Sequence, residues 1–211
     1  MTTAQTVSPA EPHPAGLLAQ AQFWFACLFA VGWTAVVCGG LSVQFGAWDY
    51  PCPLCMVQRM FMLLAALGAG YVVRQGMRGT ITGRDYMTGW GLSVVACMAG
   101  GFASWRQTML HILPGDKGYG SPVLGLHLYV WAWVLFMLSM VAIGVVMAFA
   151  HLTAGPTVPA FPQRTAGMLV LAFVALVTAV NLVAVLCLEG FHWFLPDDPR
   201  RYQLFYDLGI L

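Results

Sequence analysis

The hydrophobic positions of the chain are grouped into long, almost uncharged runs that alternate with short polar segments. A helix needs about 20 residues to cross a bilayer, and each run has roughly that length or more. The runs cover residues 23–44, 55–73, 86–111, 124–150 and 166–188. The pattern therefore predicts an all-α membrane protein, with a four-helix transmembrane bundle over 21–150 and a fifth transmembrane helix, preceded by a connector, over 151–188.

Two terminal segments fall outside this pattern. Residues 1–20 are rich in Ala, Pro and Thr without periodicity, which predicts a disordered cytoplasmic tail. Residues 189–211 are predicted to form a polar and aromatic tail on the periplasmic side. Residues 1–21 contain no Lys or Arg, so the basic part of a signal peptide is missing, and the first run is interpreted as a retained span.

Composition and charge support a membrane class and argue against a nucleic-acid partner. The 211 residues are 60% hydrophobic and 8% charged, with a formal net charge of +1. Soluble domains usually carry about 25% charged residues. A chain this apolar needs lipid as the solvent for most of its surface, and it has too little positive charge to attract a phosphate backbone.

Basic residues in the short connections predict the orientation of the spans. Three arginines lie between residues 74 and 84, which marks that connection as cytoplasmic. The N-terminus is then inside, and the turn before residue 55 is outside. Arg164 likewise predicts that the connection between the fourth and fifth runs is on the inner side. Arg200 and Arg201 lie on the unfavoured outer side, so the fifth span is the part of the topology with least support.

The outer turn after the first run carries a closely spaced cysteine pair, Cys52-Pro53-Leu54-Cys55. Pro53 suits the first position of a helix, which would place Cys55 at a helix N-terminus. The helix dipole and Arg59, one turn further on, both favour the reactive thiolate. The pair could be half of a zinc site, but the sequence offers no second ligand pair to complete it. Attachment of c-type haem requires His at the position of Met56. Incidental spacing stays open.

Four ionisable residues lie in or beside the apolar runs near the same outer surface: Arg59, Arg106, His111 and His127. Charged groups in spans are costly, so together they are interpreted as a shared site beside the cysteine pair. Snorkelling of each side chain to lipid headgroups is the alternative. A metal site formed by His111, Asp116 and His127 is a further, weaker alternative.

The motif resembles that of a known family. The stretch that carries the likeness is Cys52-Pro53-Leu54-Cys55-Met56-Val57-Gln58-Arg59, and it is similar to the motif of the bacterial disulfide bond formation protein B (DsbB) family. The order of spans and the Arg-rich inner turn agree over roughly residues 20–150. Residues 105–114 also resemble the family's entry into its second outer loop.

The resemblance implies a multi-pass protein of the bacterial inner membrane whose cysteine pair faces the periplasm. It implies that Cys52 exchanges with a thiol of a periplasmic thioredoxin-like protein and that Cys55 lies next to a quinone, ubiquinone or menaquinone. Arg59 would hold the quinone and stabilise charge on it, and Arg106, His111 and His127 are the further candidates for cofactor binding. The expected activity is that of a protein-disulfide oxidoreductase with quinone as acceptor.

One departure from the family is visible in the sequence. Standard members carry a second cysteine pair between the third and fourth spans, whereas residues 98–186 contain no cysteine. Direct attack of a partner thiol on Cys52, or a pair supplied by another subunit, would have to replace it. A non-catalytic subunit of a larger membrane complex is therefore the second hypothesis. The other four cysteines are interpreted as small hydrophobic residues: Cys27, Cys38, Cys97 and Cys187.

Overall fold

In a computed structural model, the described part of the chain forms five long helices and one short one. The structure describes residues 13–14, 16–116, 118–120, 122–155, 157–158, 161–192, 196 and 199–210. The helices are α1 Leu17–Gly46, α2 Pro53–Arg78, α3 Gly83–Leu110, α4 Leu128–Phe149, α5 Phe161–Glu189 and α6 Gln203–Asp207. A 3-10 turn, Ala150–Leu152, follows α4, and the two-residue strands β1 His13–Pro14 and β2 Thr157–Val158 pair in parallel.

The predicted fold class is confirmed, including the fifth long helix. Each of α1 to α5 is long and apolar enough to cross a membrane. Helix α2 is central and packs against α1, α3 and α5, while α4 packs against α3 and stacks its Phe136 ring on Trp33 of α1. Many large apolar side chains of α4 and α5 point outward. In a membrane these faces meet lipid, so their exposure carries no hydrophobic cost.

Small residues bring α2 and α3 into close contact. A Cβ atom added at Gly68 would lie 2.7 Å from the carbonyl oxygen of Gly89, so neither position has room for a side chain. The Ser93 hydroxyl donates to the carbonyl oxygen of Ala65 across this contact at 2.9 Å. Close backbone approach through small residues is a common way to pack helices in lipid, where no hydrophobic force between helices operates.

The helix ends differ from the predicted limits for local reasons. Helix α2 continues to Arg78 and stops at Gly79, whose φ of 71° is the left-handed conformation that favours glycine. Thr82 and Asp85 form a capping box that starts α3. Helix α4 begins at Leu128, four residues later than predicted, because 123–126 form a tight turn with positive φ at two positions.

The two ends of the bundle hold different parts of the chain. At one end the N-terminal strand pairs with the connector after α4. At the other end lie the turn with Cys52 and Cys55, the loop between α3 and α4, and the segment with α6. This agrees with the predicted grouping of the connections. Of the predicted N-terminal tail, 1–12 and 15 lie outside the described residues, and 17–20 already belong to α1.

Candidate functional site

The cysteine pair forms a disulfide where α2 begins. Cys52 and Cys55 are bonded, with their Cα atoms 5.0 Å apart. Cys52 is the N-cap of α2, and its sulfur accepts the backbone N–H of Cys55 at 3.1 Å. Pro53 occupies the first helical turn, where its missing N–H costs nothing. The predicted location of the pair at a helix N-terminus is therefore confirmed.

A buried pair of amides lies beside the disulfide, and one of the two contacts both sulfurs. The Gln107 amide nitrogen, from α3, lies 3.3 Å from the Cys52 sulfur and 3.5 Å from the Cys55 sulfur. Gln58 donates its own amide N–H to the Gln107 oxygen at 2.7 Å. Because that oxygen is occupied by a donor, the Gln107 amide must direct its N–H groups towards the disulfide. Both glutamines are almost fully buried.

Gln58 and Gln107 were not among the site residues that the sequence predicted. Their signal was available, because two amides in otherwise apolar helices need partners when they are buried. What the sequence did not contain was the pairing between them, which depends on how α2 and α3 face each other.

Arg59 is held against α1 rather than extended towards headgroups. Its guanidinium donates to the Gln44 side-chain oxygen at 2.6 Å and to the Gly40 carbonyl oxygen at 2.8 Å. A Cβ atom at Gly40 would lie 2.9 Å from the guanidinium Nε, so only glycine leaves room for this arrangement. The two contacts fix the positive charge inside the bundle, which excludes snorkelling of Arg59 in this conformation.

Cys55 and Arg59 line the same apolar cavity. Its volume is about 560 Å³, and it is bounded by α1, α2, α4, the turn before α2 and the loop before α4. Gln58 contributes a further polar atom on the α2 side, and most of the remaining lining is aliphatic or aromatic. Lining residues that matter below are Val36, Gly40, Tyr50, Tyr129, Leu128 and Leu135. The site thus combines a disulfide, a fixed cation and an apolar space.

Two histidines flank this cavity through Tyr129. The His127 ring stacks on the Tyr129 ring with centroids 5.3 Å apart, and the His111 ring lies 5.6 Å from it. His111 also pairs with Asp116 at 3.2 Å. The backbone N–H of Gly118 and the His111 ring hold the pKa of the Asp116 carboxyl below its usual range. Neither histidine itself lines the cavity.

Arg106 is separate from the other predicted site residues. It lies on an exposed face of α3 and does not line the cavity, whereas its neighbour Gln107 points inward. The expected grouping of four ionisable residues is thus reduced to Arg59 in the cavity wall and the two histidines beside it. The reason is helical geometry, because adjacent positions on a helix point about 100° apart.

The three residues of the alternative metal site, His111, Asp116 and His127, have different contacts. His111 and Asp116 contact each other, but the His127 Nδ1 lies 3.1 Å from the Gly120 carbonyl oxygen instead. Within the described part of the chain, no group of three His, Cys, Asp or Glu side chains could hold a metal ion.

The fold and the site define a multi-pass membrane protein with a Cys-x-x-Cys disulfide beside an apolar cavity. Residues 21–119 match the family described as Disulfide bond formation protein DsbB. The resemblance that the motif indicated is thereby confirmed over this segment. The match includes most of α1, all of α2 and α3, and the disulfide, and it ends before α4.

Two curated relatives are both called Disulfide bond formation protein B. The one from Polaromonas naphthalenivorans (strain CJ2) is 33% identical over 90 residues, which are 42% of this chain and 50% of the relative. The one from Polaromonas sp. (strain JS666 / ATCC BAA-500) is 33% identical over 89 residues, with the same two shares. The matched part of the chain thus spans about half the length of these relatives. No solved structure matches the chain significantly.

The Gln107 contact leads to a first prediction. We expect Gln107→Leu to slow alkylation of the reduced Cys55 thiol at neutral pH by about tenfold or more, because a hydrogen bond to a charged group contributes about 1.5–3 kcal/mol. The measurement is the rate of iodoacetamide labelling of Cys55 by mass mapping.

Ser104→Ala is the matched control for Gln107→Leu. Ser104 is buried on α3 like Gln107, but its hydroxyl donates only to the Gly100 carbonyl oxygen. The double variant Gln58→Leu/Gln107→Leu leaves no amide unpaired and should label as slowly as the single variant. Equal labelling rates in wild type and Gln107→Leu would show that the amide does not stabilise the thiolate.

Proposed function

We propose that the protein is a quinone-dependent thiol oxidoreductase of a bacterial inner membrane, with the cysteine pair facing the periplasm. The observation that carries the proposal is that Cys55 and Arg59 line one apolar cavity of about 560 Å³. The name shared by the two relatives, Disulfide bond formation protein B, supports the same chemistry. In the net reaction two partner thiols lose two electrons and two protons, forming a disulfide, and one quinone takes them up as quinol.

The residues of the cavity fit a quinone. Cavities that bind small molecules are mostly apolar, about 300–1,000 Å³ in volume, and carry a few placed polar groups. Here Arg59 and Gln58 supply N–H donors suited to carbonyl oxygens, while Val36, Leu128 and Leu135 supply apolar surface for a ring and its isoprenoid tail. Ubiquinone and menaquinone both have such carbonyl oxygens, a ring and an isoprenoid tail. A bound quinone would supply the two-electron acceptor.

The chain's own residues can carry the thiol exchange. An incoming thiolate would form a bond to the Cys52 sulfur and break the Cys52–Cys55 bond, leaving Cys55 as the thiolate. The helix N-terminus and the Gln107 N–H then stabilise that negative charge. The second thiol of the partner attacks the mixed disulfide and releases Cys52. The pair has then gained the two electrons that the partner lost.

Access to Cys52 requires movement at the outer surface. Cys52 is only 7% exposed, so a thiol of another protein cannot reach its sulfur in this conformation. The Tyr119 hydroxyl donates to the Tyr50 carbonyl oxygen and ties the outer loop to the turn before Cys52. We propose that a periplasmic thioredoxin-like thiol protein docks here, displaces this contact and exchanges directly with Cys52. Direct exchange would explain how the protein works without a second cysteine pair.

Arg59 is the proposed cation of the cofactor site, since its charge would offset negative charge as electrons leave Cys55. His111 and His127 are proposed to shape the cavity wall through their contacts with Tyr129. Arg106 has no part in the proposed site.

The proposal is tested by titrating the thiols of the purified, fully reduced protein under anaerobic conditions. We expect added ubiquinone-1 or menadione to protect Cys52 and Cys55 from alkylation, with one quinol formed for each disulfide. The half-buried thiols of Cys38 and Cys187 serve as internal controls and should stay reactive. If Cys52 and Cys55 stay reduced with both quinones, the proposal fails, and the hypothesis of a non-catalytic subunit of a membrane complex gains support.

A further inference from the structure

The C-terminal segment folds back onto the outer end of α5. The Asp207 carboxylate accepts the backbone N–H of Phe191 at 2.9 Å and the Gln203 side-chain amide at 2.9 Å. Gly190 has a φ of +66°, and a Cβ atom there would lie 3.1 Å from the Leu204 nitrogen. A close approach and a left-handed turn both require glycine at this point. These contacts fix α6 next to the end of the fifth span.

From this anchor, Tyr202 reaches α1. Its hydroxyl oxygen accepts the Gln44 side-chain N–H at 3.4 Å, and its ring packs edge-on against the Tyr50 ring at 5.1 Å. Gln44 is 1% exposed, and its oxygen accepts the Arg59 guanidinium N–H at 2.6 Å. The C-terminal segment is therefore connected to Arg59 through a single buried amide.

The two ends of that amide are not equivalent. Arg59 can only donate, so it needs the oxygen end of Gln44. The Tyr202 hydroxyl can accept, so it binds the nitrogen end. If the hydroxyl is removed, the Gln44 nitrogen loses its acceptor, and only the Arg59 contact still holds the amide with its oxygen towards the guanidinium.

We propose that Tyr202 is a positioning residue that holds Arg59 through Gln44. The inference deepens the proposed function and rests on it for the role of Arg59 in quinone reduction. It makes the segment beyond α5 part of the site, although this segment lies outside the stretch that matches the DsbB family. The fifth helix then serves to carry this segment to the outer end of the bundle.

Tyr202→Phe tests the inference because it keeps the ring contact with Tyr50 and removes only the hydroxyl. The first measurement needs no quinone: phenylglyoxal modification of Arg59, mapped by mass spectrometry and normalised to the exposed Arg106 in the same molecule. We expect Arg59 to react about fivefold faster in the variant, the factor that corresponds to one ordinary hydrogen bond. Tyr206→Phe, four residues further on in α6, is the matched control and should behave as wild type.

The second measurement is the rate of ubiquinone-1 and menadione reduction. We expect Tyr202→Phe to lower this rate about fivefold while leaving exchange with a small dithiol unchanged. In an Arg59→Lys background the same change should have no further effect, because lysine cannot make the paired contacts that Tyr202 supports. A change in melting temperature without these effects would indicate a merely structural role and overturn the inference.

The outcomes separate the inference from the proposed function. If wild type reduces neither quinone, the proposed function fails, and the role of Tyr202 in quinone reduction fails with it. If wild type reduces quinone but Tyr202→Phe matches it in rate and in Arg59 modification, only the inference is overturned. Faster Arg59 modification together with slower quinone reduction supports both.

Discussion

Cys55→Ser is expected to reduce quinone-dependent thiol oxidation to the rate of the protein-free reaction. Cys55 is the sulfur that lines the apolar cavity, and a serine hydroxyl can neither form the disulfide nor supply electrons to an acceptor there. The measurement is quinol formation by the purified protein in detergent or nanodiscs, with a dithiol protein as electron donor.

The two cysteines should give different products when they are replaced singly. In Cys55→Ser the Cys52 thiolate has no internal partner, so it should attack the disulfide of added oxidised donor protein and form a mixed disulfide, with release of one donor thiol. Cys52→Ser should lose activity equally, and little donor protein should become disulfide-bonded to its remaining Cys55. Cys187→Ser is the control, since Cys187 is a half-buried free thiol in α5. Wild-type rates in either Cys52→Ser or Cys55→Ser would contradict the proposed function.

Arg59→Met is expected to lower the rate constant of quinone reduction by about 10²–10³, the usual cost of removing one preorganised group that stabilises developing negative charge. The structure fixes this guanidinium by two hydrogen bonds, to Gln44 and Gly40, so its charge is in place before electrons move. The measurement is kcat and KM for ubiquinone-1 and menadione.

The conservative variant separates charge from geometry. Arg59→Lys keeps the charge but lacks the planar fork that reaches both oxygens, so we expect a loss of about tenfold, less than with methionine. Arg106→Met removes an exposed arginine of α3 and should leave the rate unchanged. Thiol exchange between Cys52 and a dithiol should persist in all three variants. An Arg59→Met protein with normal kcat and KM would show that the cation has no role in the reaction.

Helix α5 lies beyond the segment that matches the DsbB family, and it packs into the bundle next to the site. Helix α5 packs against α1 and α2, the helices that hold Arg59 and its partners. Asn181 of α5 is fully buried and donates to the Met60 sulfur of α2 at 3.4 Å. A buried polar contact of this kind favours one rotational setting of a helix in lipid. The fifth helix is thus an integrated part of the bundle rather than an appended span.

The sequence alone predicted the long apolar runs, the class of fold and the position of the cysteine pair at the start of the second span. Spans follow from the sequence because lipid cannot hydrogen-bond a backbone, so each long apolar run must become a helix. The position of the cysteine pair follows because both cysteines lie within four residues of chain and Pro53 between them suits the first position of a helix. The exact helix ends were less accessible, since turns such as 123–126 depend on individual φ angles.

Only the tertiary structure decided which polar side chains meet. Gln107 reaches the sulfurs, Gln44 reaches Arg59, and Tyr202 arrives from the far end of the chain, whereas Arg106 points away. In a soluble helix the apolar side faces the core and the polar side faces water, so the sequence shows which side points inward. These helices are apolar on nearly all sides, and that contrast is missing. Their rotation is therefore set by close packing at small residues and by a few buried hydrogen bonds, which the hydrophobic pattern does not encode.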